Sequence, residues 1–419
     1  MYDAIVVGAR CAGSPTAMLL ARRGYRVLLV DRARFPSDTM STHYIHHHGV
    51  SRLERWGLLD RLKASGCPPI RRFTIDFDEH ALSGIPPPVD GIDSGYCPRR
   101  FVLDKILVDA AVGAGAELRE KFIVEDLVFD GDRVAGIRGR GGAVERARIV
   151  IGADGLHSRV ARAVQAREYH VRPSLECAYY TYWSGVPVSG FEIYRANRRM
   201  VFASPTHDGL VCIGVAWPHA EWRTYKASCE ANYLATIDRA GGLAARVRAG
   251  RREERFVGTA TLPNYYRRSF GPGWALVGDA GFHKDPTTAS GISDAFRDAE
   301  LLAEAVDDGF SGRRDPADAL ADYERRRDRA SLPLYQLYTA HISSLEPLPP
   351  EFAEYIRAIA GNQPAIDRLL GVLVGAVPVN AVLSAGRVLS VIGVSGFTRA
   401  LGARLSRGLA LAGRMRGVA

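Results

Sequence analysis

Lysine is nearly missing from this chain: there are five lysines against fifty arginines in 419 residues, although the formal net charge is +9. The arginines are scattered and often stand beside acids, as in Tyr323-Glu324-Arg325-Arg326-Arg327-Asp328. A nucleic-acid binder clusters its charge in a motif or among aromatics, so no nucleic-acid partner is expected. The basic surface would at most attract an anionic cosubstrate. The six cysteines include no Cys-x-x-Cys pair, and nothing ahead of the first strand reads as a leader, so reduced thiols and a cytoplasmic location are expected. The most continuous apolar stretch, Leu369 to Ala385, is interrupted by Pro378 and Asn380 and is barely of spanning length. It reads as a buried helical cap, and peripheral membrane contact is not expected. His46, His47 and His48 are adjacent and do not converge easily on one ion, so no metal site is expected. There is no internal repeat, and the length suggests two domains with an appendage.

What is present begins at the first residues. Asp3-Ala4-Ile5-Val6-Val7 is a short apolar run of the buried parallel-strand type. Gly8-Ala9-Arg10-Cys11-Ala12-Gly13 follows, and then Ala17, Leu20, Ala21 and Gly24 fall on one helix face. Val27-Leu28-Leu29-Val30 ends at Asp31, about 20 residues beyond the turn, where a dinucleotide ribose needs an acceptor. Arg10 stands where the second glycine of G-x-G-x-x-G normally sits. Either its Cβ points away from the phosphates, or its guanidinium adds a charge-assisted contact to them.

Further along, a helix is predicted through Leu53, Trp56, Leu59 and Leu62, and another from Arg100 with Leu103, Ile106, Leu107 and Ala110 in register. A strand is predicted from Glu117 to Val124. A hairpin pairing Arg133–Ile137 with Ala143–Ile151 contains Gly139-Arg140-Gly141-Gly142, which reads as a plain turn. Residues 168 to 218 are β-prone, with aromatic alternation at Tyr179, Tyr180, Tyr182 and Trp183, and Glu221 to Arg248 reads as helix. Beginning near Ser290, Ile292, Ala295, Phe296, Ala299, Leu302, Ala303 and Val306 give the cleanest helical periodicity in the chain.

Three glycine sites thus follow apolar strands: Gly8…Gly13, Gly152-Ala153-Asp154-Gly155, and Gly278-Asp279-Ala280-Gly281. With Arg100 ahead of Leu103-Asp104, the set resembles the flavoprotein monooxygenase superfamily of p-hydroxybenzoate hydroxylase, whose FAD scaffold geranylgeranyl reductases and flavin-dependent halogenases share. The resemblance covers roughly residues 1 to 330. It implies an α/β fold: a discontinuous Rossmann-type FAD-binding domain (1–66, 98–166, 255–330), an antiparallel β-sheet substrate domain (67–97, 167–254) and a C-terminal helical region (331–419).

It also implies the cofactor contacts: Gly8, Ala12 and Gly13 at the pyrophosphate, Asp31 and Arg32 at the adenosine end with Val124, and Arg100 at the phosphate–ribityl part. Asp154 and Gly155 would support the cofactor, Gly278 and Asp279 the ribityl chain, and Pro286, Gly291 and Ile292 the isoalloxazine. His43, in a loop expected beside the ring, is the candidate catalytic residue, and Tyr180, Tyr182 and Phe202 are candidates for substrate. The activity implied is that of a single-component monooxygenase: NAD(P)H reduces FAD, and a C4a-hydroperoxyflavin hydroxylates an aromatic or polycyclic, apolar small molecule. Two alternatives stay open, a C=C reductase of the geranylgeranyl reductase type and a flavin-binding carrier or sensor without turnover. A halogenase is disfavoured, because W-x-W-x-I-P is absent. Oligomeric state is not legible.

Overall fold

Short apolar strands that each run into a turn and a helix can pair only in parallel, with helices covering both faces. The computed structural model describes residues 1–77 and 80–416, and five such strands lie in the order Trp274–Leu276, Val144–Gly152, Tyr2–Val7, Val27–Val30 and Glu117–Arg119. Every neighbouring pair among them is parallel. The register sets Val7 opposite both Gly152 and Val30, and Gly152 opposite Leu276. Four carboxyl ends therefore stop at one level. Gly8, Asp31, Asp154 and Gly278 are gathered along that single edge, where open α/β sheets hold ligands.

The meander Val124–Asp130, Arg133–Gly139 and Val144–Gly152 leaves this sheet as an antiparallel extension. Gly141 and Gly142 turn it at φ +87° and +88°, so this glycine cluster serves the hairpin alone. A second sheet is ordered Arg251–Arg252, Glu176–Ser184, Val211–Pro218, Arg199–Pro205, Phe191–Ala196, Phe73–Asp76 and Ala81–Gly84, with Val257–Thr259 beside Glu176–Ser184. Its pairings are antiparallel except where Phe191–Ala196 meets Phe73–Asp76.

The helix predicted near Ser290 is Gly291–Phe310, and every apolar position read from its period is buried. Other predicted elements are shorter than expected. The helix through Leu53 to Leu62 is two, His47–Arg55 and Leu59–Ala64, parted at Gly57 with φ +74°. The Glu221 to Arg248 stretch is three, Trp222–Ala227, Cys229–Ile237 and Gly242–Ala249. The strand from Glu117 stops at Arg119, because Lys121 takes φ +56°, and Val124 opens the next strand. The apolar stretch from Leu369 becomes the end of Gln363–Leu373 and the short helix Asn380–Leu383, separated around Gly375 and Pro378.

Pro316–His341 runs unbroken across residue 330, and it fastens the segment that carries the Gly278 turn. Tyr323 donates to the Leu276 carbonyl at 2.8 Å. Arg327, fully buried, donates to the carbonyls of Gly281 (3.2 Å) and Arg267 (3.4 Å), to the Tyr169 hydroxyl (2.6 Å), to Ser269 and to Asp328. Next to it, Arg326 only meets Glu304 at the surface. Deleting a buried, fully paired charge strands its partners, whereas an exposed pair is nearly neutral. Arg327→Met should therefore lower unfolding free energy by about 3 kcal/mol, and Arg326→Met by no more than about 0.5 kcal/mol. Denaturant midpoints of the two variants check this, and equal midpoints would refute the anchoring role.

Candidate active site

The three glycine sites touch. Gly8 has φ +104°, and a Cβ there would run into the Ala153 carbonyl; a Cβ on Gly13 would run into the carbonyl of Gly8. Gly278, at φ +62°, faces the Ala12 methyl, with no room for a side chain between them. Backbone amides are thus brought to the crevice at a spacing that only glycine permits. Asp31 accepts the amides of Ala9 and Ala33, each at 2.7 Å, so it stiffens the turn it was expected to complement. Arg32 is exposed, and the Val124 side chain is buried in an apolar layer with Val7 and Val30. One Asp154 oxygen accepts the amides of Arg159 (2.6 Å) and Val160 (3.2 Å). Its other oxygen is buried without a partner, and burial raises its pKa. Gly155 follows at φ +74°.

Arg10 takes a course the sequence did not specify. Its guanidinium donates to Asp104 at 2.5 Å and to the Ser37 hydroxyl at 3.1 Å. Arg100 meets the same carboxylate through two contacts of 3.1 Å. One buried acid between two guanidiniums leaves a surplus positive charge beside the glycine turn, which suits a pyrophosphate. Asp104, the hub of this triad, was legible only as the last residue of the Arg100 motif. Gly278, Asp279 and Gly291 border one small cleft, with Lys284 and Asp294 paired at 2.6 Å on its wall. Asp279 is exposed in this crevice, and its carbonyl is held by the Tyr265 hydroxyl at 2.7 Å. Pro286 opens a short turn ahead of Gly291, and the Ile292 side chain packs into the core.

His43, Tyr180 and Tyr182 come together across 139 residues of sequence. The Tyr182 hydroxyl and His43 Nε2 share a hydrogen bond of 2.6 Å, and Tyr180 stands edge-on to the imidazole at 5.6 Å. His43 has φ +61° and no exposure, and burial, then the charges of Arg100 and Arg99, push its pKa well below the ordinary value. The ring is neutral. Arg99, not singled out in the sequence, lies over the Tyr182 ring at 3.9 Å and pairs with Glu254 at 2.7 Å. His46 and His48 point to different backbone carbonyls, Thr288 and Val374, each at 2.9 Å, and burial lowers their pKa values to about 3 and about 4. With the His46 amide on the Ser293 hydroxyl at 3.0 Å, they pin the 43–48 segment to the start of Gly291–Phe310.

Phe202 lies on the same sheet face as Tyr180. Their shared partner is Gly214, whose missing side chain leaves room for the Phe202 ring. That face continues into an apolar cavity. Ile75, Ile193 and Met200 of the sheet face Leu370, Leu373 and Leu383 of the C-terminal helices, and Thr287, Arg195 and Tyr338 supply its polar atoms. Glu176 sits on this sheet face with both carboxyl oxygens buried and the Thr287 hydroxyl beside them. Burial raises its pKa well above the carboxylate range, with the charge of Asp285 adding to it. Strand alternation from Tyr180 and Tyr182 back to position 176 was the signal that could have found it.

The donors fit FAD: a glycine cradle that a Cβ would fill, an orphaned Asp154 oxygen, and surplus charge at the turn. Comparisons with known proteins agree. The digeranylgeranylglycerophospholipid reductase 2 of Methanothermobacter thermautotrophicus is 29% identical over 78% of this chain and 83% of its own length. The corresponding reductase of Methanosarcina mazei is 28% identical over 74% and 76%. Among solved structures, the myxobacterial chondrochloren halogenase CndH superposes with TM-score 0.76 at 24% identity, over 94% of this chain and 97% of that one. PqsL of Pseudomonas aeruginosa, a probable FAD-dependent monooxygenase, gives 0.70 at 24% identity, over 88% and 99%. At such identities the structures establish the shared fold. The sequence of residues 1–336 matches the FAD binding domain family, to which this chain belongs.

Proposed function

We propose that this FAD-dependent oxidoreductase saturates carbon–carbon double bonds of an extended, isoprenoid-like apolar substrate, with NAD(P)H as the electron source. The observation that carries the reading is the apolar cavity, which begins at Thr287 beside the expected ring position and runs out under the C-terminal helices. Its apolar lining suits a hydrocarbon, and few polar groups would fix orientation. The names of the curated relatives, reductases of a digeranylgeranyl lipid, support the same choice. FAD, when bound, supplies the two-electron chemistry.

The chain's own residues do the rest. The face of Met200, Phe202 and Tyr180 orients the chain, and burial under Leu370 and Leu373 excludes water. Saturation of a double bond needs a proton as well as a hydride, and the neutral Glu176 carboxyl holds one next to Thr287. Arg10 is occupied by Asp104, so attraction of NAD(P)H falls to the general basic surface and should weaken with salt. The cofactor roles of Gly8, Ala12, Gly13, Asp31, Arg100, Asp154 and Asp279 belong to this proposal, as does the division into cofactor, substrate and C-terminal parts.

Hydroxylation is the second reading. The specific support is the His43–Tyr182–Tyr180 cluster, which gives the expected ring position an aromatic, hydrogen-bonding boundary suited to a phenolic or polycyclic substrate.

Three outcomes test these readings. Asp279→Ala should weaken FAD retention about tenfold or more, through loss of a charged hydrogen-bond acceptor; flavin absorbance after desalting measures this. Met200→Trp should fill the cavity and raise KM for a prenyl substrate while leaving flavin content intact, and an unchanged KM would remove the cavity from the substrate path. Turnover with NADPH under strict anaerobiosis should add two hydrogens to a geranylgeranyl substrate. Product formed only in oxygen, and carrying label from labelled O₂, would move the assignment to hydroxylation.

A further inference from the structure

The last long helix, Ala385–Arg416, has two apolar sides. Ile392, Gly396 and Ala400 recur every fourth residue and are buried. Arg399 pairs with Glu354 at 3.0 Å and Arg404 with Glu351 at 2.7 Å, so this part of the helix rests on Pro350–Ile359. Beyond Gly393, Phe397, Leu401 and Leu405 form a second stripe, rotated by about 120° from Gly396 and Ala400 at 100° per residue, with Val394 at its start. All four are exposed, Val394 by 82%. Leu389 and Val391 extend the exposed apolar surface toward the start of the helix. Six of the fourteen large hydrophobic side chains exposed among the described residues thus belong to one helix. A soluble surface scatters such residues singly, and a contiguous patch marks a contact.

Charge identifies the contact. After Asp367 the sequence contains no Asp or Glu and seven arginines, beginning at Arg368 and ending at Arg416. We propose that this helix lies in the interface of an anionic lipid bilayer, with Val394, Phe397, Leu401 and Leu405 below the headgroups and the net positive charge of the segment drawing it to the phosphates. An apolar stripe on an arginine-rich helix is the composition that binds such a surface. The stretch Asn380–Ser406 is, by length and composition alone, apolar enough to span. Spanning would require Arg399 and Arg404 to leave Glu354 and Glu351 and would carry their charges into hydrocarbon. The non-helical Gly393, at φ +61°, also divides the stretch.

The helix adjoins the cavity. Leu383, two residues before it starts, lines the cavity wall together with Phe352 of the helix on which it rests. A bilayer-seated helix would bring this mouth to a source of apolar substrate. That last step rests on the reading under Proposed function, whereas the docking itself does not.

Co-sedimentation of the FAD-loaded full-length protein with vesicles tests the docking. Phosphatidylcholine vesicles containing phosphatidylglycerol should bind the protein, pure phosphatidylcholine much less, and high salt should weaken binding. The exposed triple variant Val394→Asp, Phe397→Asp, Leu405→Asp should bind about a hundredfold more weakly, with unchanged flavin content and unchanged turnover of a detergent-dispersed substrate. Vesicle binding unaltered in that variant overturns the proposal. So does a wild-type oligomer in solution that the variant converts to monomer, which would assign the face to a second copy. Loss of vesicle binding without any substrate turnover in the parent protein would sustain the docking and refute the reductase reading separately.

Discussion

The structure depends on how closely three pieces of backbone approach one another at the carboxyl edge of the parallel sheet. Gly8 lies against Ala153, Gly13 against Gly8, and Gly278 against Ala12, each without space for a Cβ. This approach requires the strand register, in which Val7, Val30, Gly152 and Leu276 end together. It also explains why residues nearly 270 positions apart act on one crevice. Any side chain inserted here would separate two strands as well as block a ligand.

Electrostatics then finish what the backbone begins. Asp104 binds Arg10 and Arg100 together, and Asp294 likewise receives Lys284 and Arg297 at 2.6 Å each. The first cluster, one buried acid between two cations, leaves one charge in excess within a low-dielectric surrounding where the excess is strongly felt; in the second, Asp298 also takes Arg297 at 2.7 Å, so two acids balance two cations. The crevice is therefore positive at the Gly8 turn through fixed groups, and the scattered surface arginines contribute little to it.

The cradle was legible in the sequence because each glycine site follows an apolar run, and strand, turn and helix have local signatures. The period of Gly291–Phe310 was equally plain. What long-range contact decides was not. Nothing near Arg10 announces that its guanidinium will choose a carboxylate 94 residues away. His43, Tyr180 and Tyr182 could each be singled out, but their meeting is a property of the fold. The cavity was invisible, since its walls come from around residues 75, 193–200, 337–342 and 369–383. The exposed stripe of the last helix was hidden for another reason: serines, glycines, Arg399 and Arg404 interrupt it, whereas the Leu369 to Ala385 run is smoother, and its first part is buried.

The helix Pro316–His341 gives the two cavity walls unequal freedom to diverge. Near its middle, Tyr323 and Arg327 grip the end of the Trp274–Leu276 strand and the Gly281 turn. Leu337 and Tyr338, which line the cavity, sit on the same rod roughly 16 Å further along. Shifting them would tilt the rod and disturb the residues that follow the Gly278 turn. Leu369 to Leu383 hang on short helices that meet the 43–48 segment at the Val374 carbonyl, held by His48. Descendants of this chain could therefore acquire new substrates cheaply by remodelling one wall, while the other stays under the veto of the cofactor.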